Sequence, residues 1–179
     1  MRTTNKYILF WNGVFSNFYP YDTKTVKTED VEPLNFELEG IKWKTSEQYF
    51  MYKKAIFFGD FETAELIKKA IRPEEAKKLG RKVKNFDDKK WSEVSSQIMY
   101  DAVFAKFSQN EELKEYILNK RFDNKHFVEA SPFDKIWGIG IHYSDSRCDD
   151  ESNWLGENKL GKVIDSVRKQ LKNNKNEKE

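Results

Sequence analysis

The chain has 179 residues, the length of one ordinary globular domain, and its 32 basic and 30 acidic side chains leave a formal charge of only +2. That balance excludes a broad electrostatic footprint on nucleic acid or membrane, and a lone cysteine excludes an internal disulfide. Hydrophobic residues make up only 38%, yet 15% aromatics with 8 Gly and 4 Pro mark a chain that folds around a core.

No run approaches the ~20 apolar residues of a membrane span, and residues 1–10 lack the apolar core of a signal peptide. A cytoplasmic location without membrane contact is the expectation. Cys148, His126 and His142 match no zinc spacing, so no metal is expected.

Tyr7 to Phe10 is apolar and β-prone. Leu34, Phe36 and Leu38 alternate with polar residues, and Gly40 turns the chain into Ile41 and Trp43, which predicts a half-buried hairpin. Thr45 with Gln48 has the form of a capping box opening a helix to about Phe58, ended by Gly59. Asp60 caps the next, residues 61–70; Pro73 opens a third that Gly80 ends. Asp87 or Asp88 starts a long helix with Trp91, Val94, Ile98, Ala102 and Ala105 on one stripe, and Asn110 caps another. Residues 126–130 and 136–141 read as short strands about a Ser131-Pro132 turn, and residues 144–152 as an exposed acidic loop. Leu160, Val163, Ile164, Val167 and Leu171 line a final helix. The sum is an α+β fold, mostly helical, with a small antiparallel sheet: one domain over residues 1–171 and a frayed tail over 172–179.

Three places invite chemistry. At 100° per residue, Glu47 and Lys54 share a helix stripe with Phe50, Met51 and Phe58, so a carboxylate and an ammonium face a polar cavity or each other. Taken alone, the pattern favours the plainer reading of a first-turn glutamate and a snorkelling lysine. Asp134 and Trp137 lie at a tight Gly- and Pro-bounded turn, where a turn-making Asp and a core Trp are again the plainer reading. Residues 153–161 form a Gly-containing turn into the last helix, whose N–H groups suit phosphate but match no Walker or dinucleotide fingerprint. Arg81, after Gly80, reads as a solvated cation. No nucleophile elbow accompanies His142, and acidic neighbours of Cys148 raise its thiol pKa, away from nucleophilic chemistry.

Read as a set, the residues carry more. Phe15-Ser16-Asn17-Phe18 precedes Gly40-x-x-Trp43-x-Thr45-Ser46-Glu47-Gln48-Tyr49-Phe50, then Lys54, Gly59-Asp60 and Ala76-x-x-Leu79-Gly80-Arg81. Trp91, Met99, Lys106-Phe107, Val128-Glu129-Ala130-Ser131-Pro132, Asp134-x-x-Trp137-Gly138-Ile139-Gly140 and Trp154-x-Gly156-x-Asn158-x-Leu160-Gly161 follow. In this order they resemble the NADAR family, the YbiA-like N-glycosidases associated with NAD and ADP-ribose metabolism, from about Phe10 to Leu171.

The resemblance implies a YbiA-like fold and hydrolysis of a ribose C1′–N bond without a cofactor. The expected substrate is ADP-ribosylated guanine, free or in DNA or RNA, or a related ribosyl-phosphate compound, in some members beside a DNA-modifying toxin partner. The alternative is a phosphorylated riboflavin-biosynthesis intermediate that yields ribose 5-phosphate, and the second alternative is a non-catalytic ADP-ribose-binding module. The family's catalytic glutamate falls on Glu47 and its aromatic and acidic pocket residues on Trp91, Asp134 and Trp137, with Asp134 assisting the leaving nitrogen or orienting. Lys54 and Arg81 stand where phosphate is expected. Asn17, Phe18, Gly138 and Asn158 are expected to bind substrate. Gln48 departs from the family, many of whose members have His there.

Overall fold

The structure, a computed structural model, describes residues 1–21 and 36–177. Leu34, expected in the first hairpin strand, lies outside them. The chain forms two compact units, Asn17–Asn110 and Met1–Ser16 with Glu111–Glu179.

The Asn17–Asn110 unit begins its regular structure with the antiparallel pair β3 (Phe36–Leu38) and β4 (Ile41–Trp43); β1 (Arg2–Thr3) and β2 (Tyr7–Phe10) belong to the other unit. Glu39 and Gly40 both take positive φ (56° and 73°), the backbone of a tight two-residue hairpin turn. Phe36 and Trp43 pair across it at 1% exposure each, and the Gln109 side chain completes the edge by exchanging two hydrogen bonds with the Glu37 backbone.

Four helices follow: α1 (Ser46–Phe57), α2 (Phe61–Lys69), α3 (Pro73–Gly80) and α4 (Asp88–Ser108). α1 is central, packed by the other three, and its first turn is buried on every side. Thr45 caps it through the Gln48 N–H, and Gly59 (φ 72°) ends it with Gly59 N–H on the Ile56 carbonyl and Asp60 N–H on that of Ala55. Asp60 then caps α2 through Thr63 N–H. α3 approaches α1 closely: a Cβ on Gly80 would sit 2.1 Å from Met51 Sδ. The buried stripe of α4 is Trp91, Ser95, Met99, Ala102 and Lys106, with Val94 and Ile98 only partly covered. The apolar periodicity is displaced because a serine and a lysine occupy the core side.

The other unit holds a three-stranded sheet, β1 (Arg2–Thr3), β2 (Tyr7–Phe10) and β5 (His126–Glu129), with α5 (Glu111–Leu118) and α6 (Lys159–Asn176). The sheet is mixed rather than antiparallel throughout. β1 runs antiparallel to β2, whereas β2 and β5 are parallel, with Ile8 opposite Phe127 and Leu9 opposite Val128. Ile8, Leu9 and Phe10 are fully buried in succession, as a strand covered on both faces requires. α6 crosses β5 so closely that a Cβ on Gly161 would lie 2.0 Å from the Phe127 carbonyl oxygen.

Four local expectations are corrected. Residues 136–141 are turns, not a strand, because Ile139 N–H, Gly140 N–H and Leu155 N–H bond to scattered carbonyls of Glu129, Asp134 and Ile139. The acidic segment folds into two short 3-10 turns, Ser146–Asp149 and Glu151–Asn153, that bury Cys148 completely against Leu9, Val128 and Ile141. The Asn110 side chain donates to the Lys106 carbonyl behind it. α6 continues to Asn176, into the expected tail, with Arg168 and Lys172 one turn apart on the same Asp123 carboxylate.

Candidate functional site

Glu47 is 5% exposed in the first turn of α1, where the helix dipole favours its carboxylate. Its N–H donates to the Asn17 carbonyl at 3.1 Å, which ties the Asn17-Phe18 segment to the helix start. The Asn17 side chain is buried, and its Oδ1 has no hydrogen-bond partner among the described residues. Phe18 lies under the Lys77 ammonium of α3, 5.3 Å from ring centroid to Nζ.

Two turns along α1, Lys54 is half-buried, its ammonium 3.9 Å from the Phe86 ring centroid. Burial pushes its pKa down, against the pull of Asp88 and Glu47. The carboxylate and the ammonium of the shared stripe thus feel each other's field. Phe50, between them in sequence, meets Trp91 at 5.1 Å, and Phe57 and Phe58 also pack around that indole. At 8% exposure Trp91 offers an edge in an aromatic wall. Arg81 caps α3 and is exposed. This unit therefore carries Glu47, Asn17, Phe18, Lys54, Trp91 and Arg81.

Asp134, Trp137, Gly138 and Asn158 belong to the other unit. Asp134 Oδ1 accepts the N–H groups of Ile136 (2.9 Å) and Trp137 (2.8 Å), which fixes the turn that presents half-buried Trp137. A Cβ on Gly138 would meet the Glu129 carbonyl at 2.8 Å, so only glycine fits. Asn158, left-handed at φ 53° ahead of α6, accepts from Glu129 N–H and donates to the Phe127 carbonyl, each at 3.0 Å. Its amide clasps β5. It also borders a cavity of about 410 Å³ lined by Tyr7, Trp154 and a His126–Asp165 pair at 2.9 Å.

Sequence reasoning gave Lys106 no role of its own and saw only part of what Gln48 does. Lys106 is 1% exposed, its ammonium 5.2 Å from the ring centroids of both Tyr19 and Phe107. The signal was its place four residues after Ala102 on the core stripe. Gln48 does more than cap: Oε1 accepts from Lys44 N–H, and Nε2 donates to the carbonyls of Ile67, Lys68 and Ala70 at 3.0–3.1 Å. Cys148 is no nucleophile candidate, since burial pushes its thiol pKa up, ahead of the effect of its acidic neighbours. Among the described residues no cluster of His, Cys, Asp or Glu suits a metal ion, and no helix is long and apolar enough to cross a membrane.

Comparison with known proteins follows the same outline. The NADAR domain model matches residues 9–172. The protein irg-1 of Caenorhabditis elegans is 45% identical, over 94% of this chain and 81% of its own length. The N-glycosidase R617 of Acanthamoeba polyphaga mimivirus is 35% identical, over 93% of this chain and 97% of its own. The N-glycosidase YbiA of Escherichia coli K12 is 31% identical, over 89% and 81%. The NMR structure of E. coli YbiA superposes with a TM-score of 0.72 at 28% identity, over 97% of this chain and 89% of that one, and shares the α+β architecture. A match across nearly the whole chain, with relatives well above 30% identity, makes this protein a member of the NADAR domain family.

Proposed function

We propose that this protein hydrolyses the ribose C1′–N bond of ADP-ribosylated guanine, free or within nucleic acid, with Glu47 as the catalytic carboxylate. That it is a hydrolase of N-glycosyl bonds follows from its family and from relatives named N-glycosidases. The observation that carries the finer reading is Glu47 itself: a carboxylate at 5% exposure in a helix first turn, its backbone held by Asn17 and its face shared with Lys54.

Breaking a ribosyl C–N bond passes through a cationic, oxocarbenium-like sugar. An ionised carboxylate beside C1′ stabilises that charge as it develops and activates the water that attacks there. Asp134 is assigned to the leaving nitrogen or to orienting the group that protonates it. Trp137 takes the base, Trp91 walls the sugar, and Lys54 and Arg81 hold phosphate. Asn17 and Phe18 bind substrate beside Glu47, Gly138 shapes the turn that carries Trp137, and Asn158 acts through β5 as a positioning residue.

The test is a panel of ribosylated compounds with release of ADP-ribose or ribose phosphate as readout. Rapid release of ADP-ribose from modified guanine supports the reading. Cleavage of phosphorylated riboflavin intermediates alone would replace the substrate, and tight binding of ADP-ribose with no turnover would replace catalysis with binding.

A further inference from the structure

We propose that Phe57, Phe58 and Phe86 form the subsite for the adenine of an ADP-ribosyl group, so that this protein selects an ADP-ribosyl substrate over a ribosyl phosphate. This rests on the reading above that Glu47 acts at the C1′ of such a group, and it adds which side chains recognise the far end.

The residues concerned all belong to the Asn17–Asn110 unit. Along α1, Lys54 stands about two turns beyond Glu47, at ~10 Å, and Phe57 about three turns beyond it, at ~15 Å. Phe58 closes the helix, and at 100° per residue all three stay within about 80° of Glu47. Phe86 comes from the turn before α4 and completes the set: its ring lies 5.4 Å from that of Phe58, which meets Phe57 at 4.9 Å, both edge to face. That turn is held at both ends. Lys84 N–H donates to Asp60 Oδ2 at 2.9 Å, Asp87 Oδ1 accepts Lys90 N–H at 3.0 Å, and Asn85 between them is left-handed at φ 58°. Phe57 and Phe86 are each 44% exposed, and Phe57 also meets Trp91 at 6.0 Å. The aromatic wall at Trp91 therefore runs out to solvent instead of ending in the core.

An ADP-ribosyl group presents, in order from the scissile bond, a sugar, two phosphates, a second sugar and adenine. The chain presents complementary chemistry in the same order. After the Glu47 carboxylate comes the half-buried Lys54 ammonium, which lies in the field of Asp88 and of Glu47 and sits 3.9 Å from the Phe86 ring centroid. The phosphates meet that ammonium. Asp88 is a carboxylate of the kind that accepts ribose hydroxyls, and the exposed rings offer adenine a stacking surface. A ribosyl phosphate ends at Lys54 and leaves the rings in water.

The experiment measures the binding of ADP-ribose and of ribose 5-phosphate by calorimetry, alongside turnover of ADP-ribosylated guanosine and of the same compound trimmed by a phosphodiesterase to its ribosyl phosphate. Wild type should prefer ADP-ribose. Phe57→Ala and Phe86→Ala should each weaken ADP-ribose binding about tenfold, leave ribose 5-phosphate within about twofold, and raise KM for the untrimmed substrate alone, whereas Phe86→Tyr keeps the affinity. Phe57→Ala leaves the ring under Lys54 in place, so it separates stacking from any change at the ammonium. Equal affinity of wild type for the two ligands, or equal loss on both in Phe57→Ala, overturns the subsite while the assignment of Glu47 stands. Loss of self-association by light scattering, with ADP-ribose affinity unchanged, overturns it in favour of an interface between copies. A wild type that cleaves neither guanine compound, yet binds ADP-ribose through these rings, removes guanine as the leaving group and supports the subsite.

Discussion

Replacing Gln48 by Ala removes hydrogen-bond contacts to four backbone groups, three of them carbonyls that share the two protons of Nε2. Oε1 loses the Lys44 N–H, and Nε2 leaves the carbonyls of Ile67, Lys68 and Ala70, at the end of α2. The Ile67 carbonyl keeps a partner in Ala70 N–H, so the loss falls on Ala70, whose bond is buried, and on Lys68, which water reaches in part. A stranded buried acceptor costs about 1–3 kcal/mol and each further net bond about 0.5–1.5. Together they predict a loss of about 2–6 kcal/mol. At about 2–4 °C per kcal/mol for a chain of this length, Tm falls by about 4–24 °C. Urea unfolding followed by tryptophan fluorescence and far-UV circular dichroism checks it, with the midpoint moving and the slope unchanged. Gln48→Glu sharpens the test: at neutral pH a carboxylate faces three carbonyls, so it destabilises more than Ala, and acidification narrows the difference. A Gln48→Ala protein within about 0.5 kcal/mol of wild type would refute the reasoning, because those carbonyls would then have other donors.

Asp123 is held down to about 2, from the ordinary 3.8, by Lys172 and Arg168. A carboxyl with a lowered folded pKa stabilises above its unfolded value and loses that contribution as pH falls through the folded one. The Tm deficit of Asp123→Asn should therefore be full at pH 6, shrink below about pH 5 and vanish only near about pH 1, below the folded value; a deficit independent of pH contradicts the ion-pair account. Lys54→Ala and Arg81→Ala should raise KM chiefly, and more for a phosphorylated than for a dephosphorylated substrate. Because burial lowers the Lys54 pKa, wild-type KM for the phosphorylated substrate should rise at alkaline pH before an ordinary lysine would titrate, and Lys54→Ala should lose that rise.

Helix boundaries were legible wherever a local rule acts alone: the Thr45 and Asp60 caps, Pro73 at a helix start and Gly59 at an end all stand where the residue types put them. Gln48 was half legible. Its spacing from Thr45 announces a helix start, but its bonds to α2 come from residues about twenty positions away, which no local rule sees. The core stripe of α4 was displaced because Ser95 and Lys106 are polar yet buried. Residues 136–141 are apolar enough for a strand, and only the close packing around Gly138 and Gly156 makes them turns. The parallel pairing of β2 with β5 joins segments more than a hundred residues apart, and only the three-residue apolar run of β2 hinted that both its faces are covered. For the candidate site, helical spacing placed Glu47 and Lys54 on one face, while the Asn17 carbonyl beneath Glu47 needed the fold.

The central claim concerns Glu47, and one measurement meets it directly: single-turnover cleavage of ADP-ribosylated guanine by Glu47→Gln. The substitution keeps the size of the side chain and a carbonyl oxygen while removing the negative charge. Tm should stay close to wild type, and the rate should fall more than ~100-fold, about 2.7 kcal/mol of barrier. A folded Glu47→Gln protein that turns over near the wild-type rate would contradict the assignment.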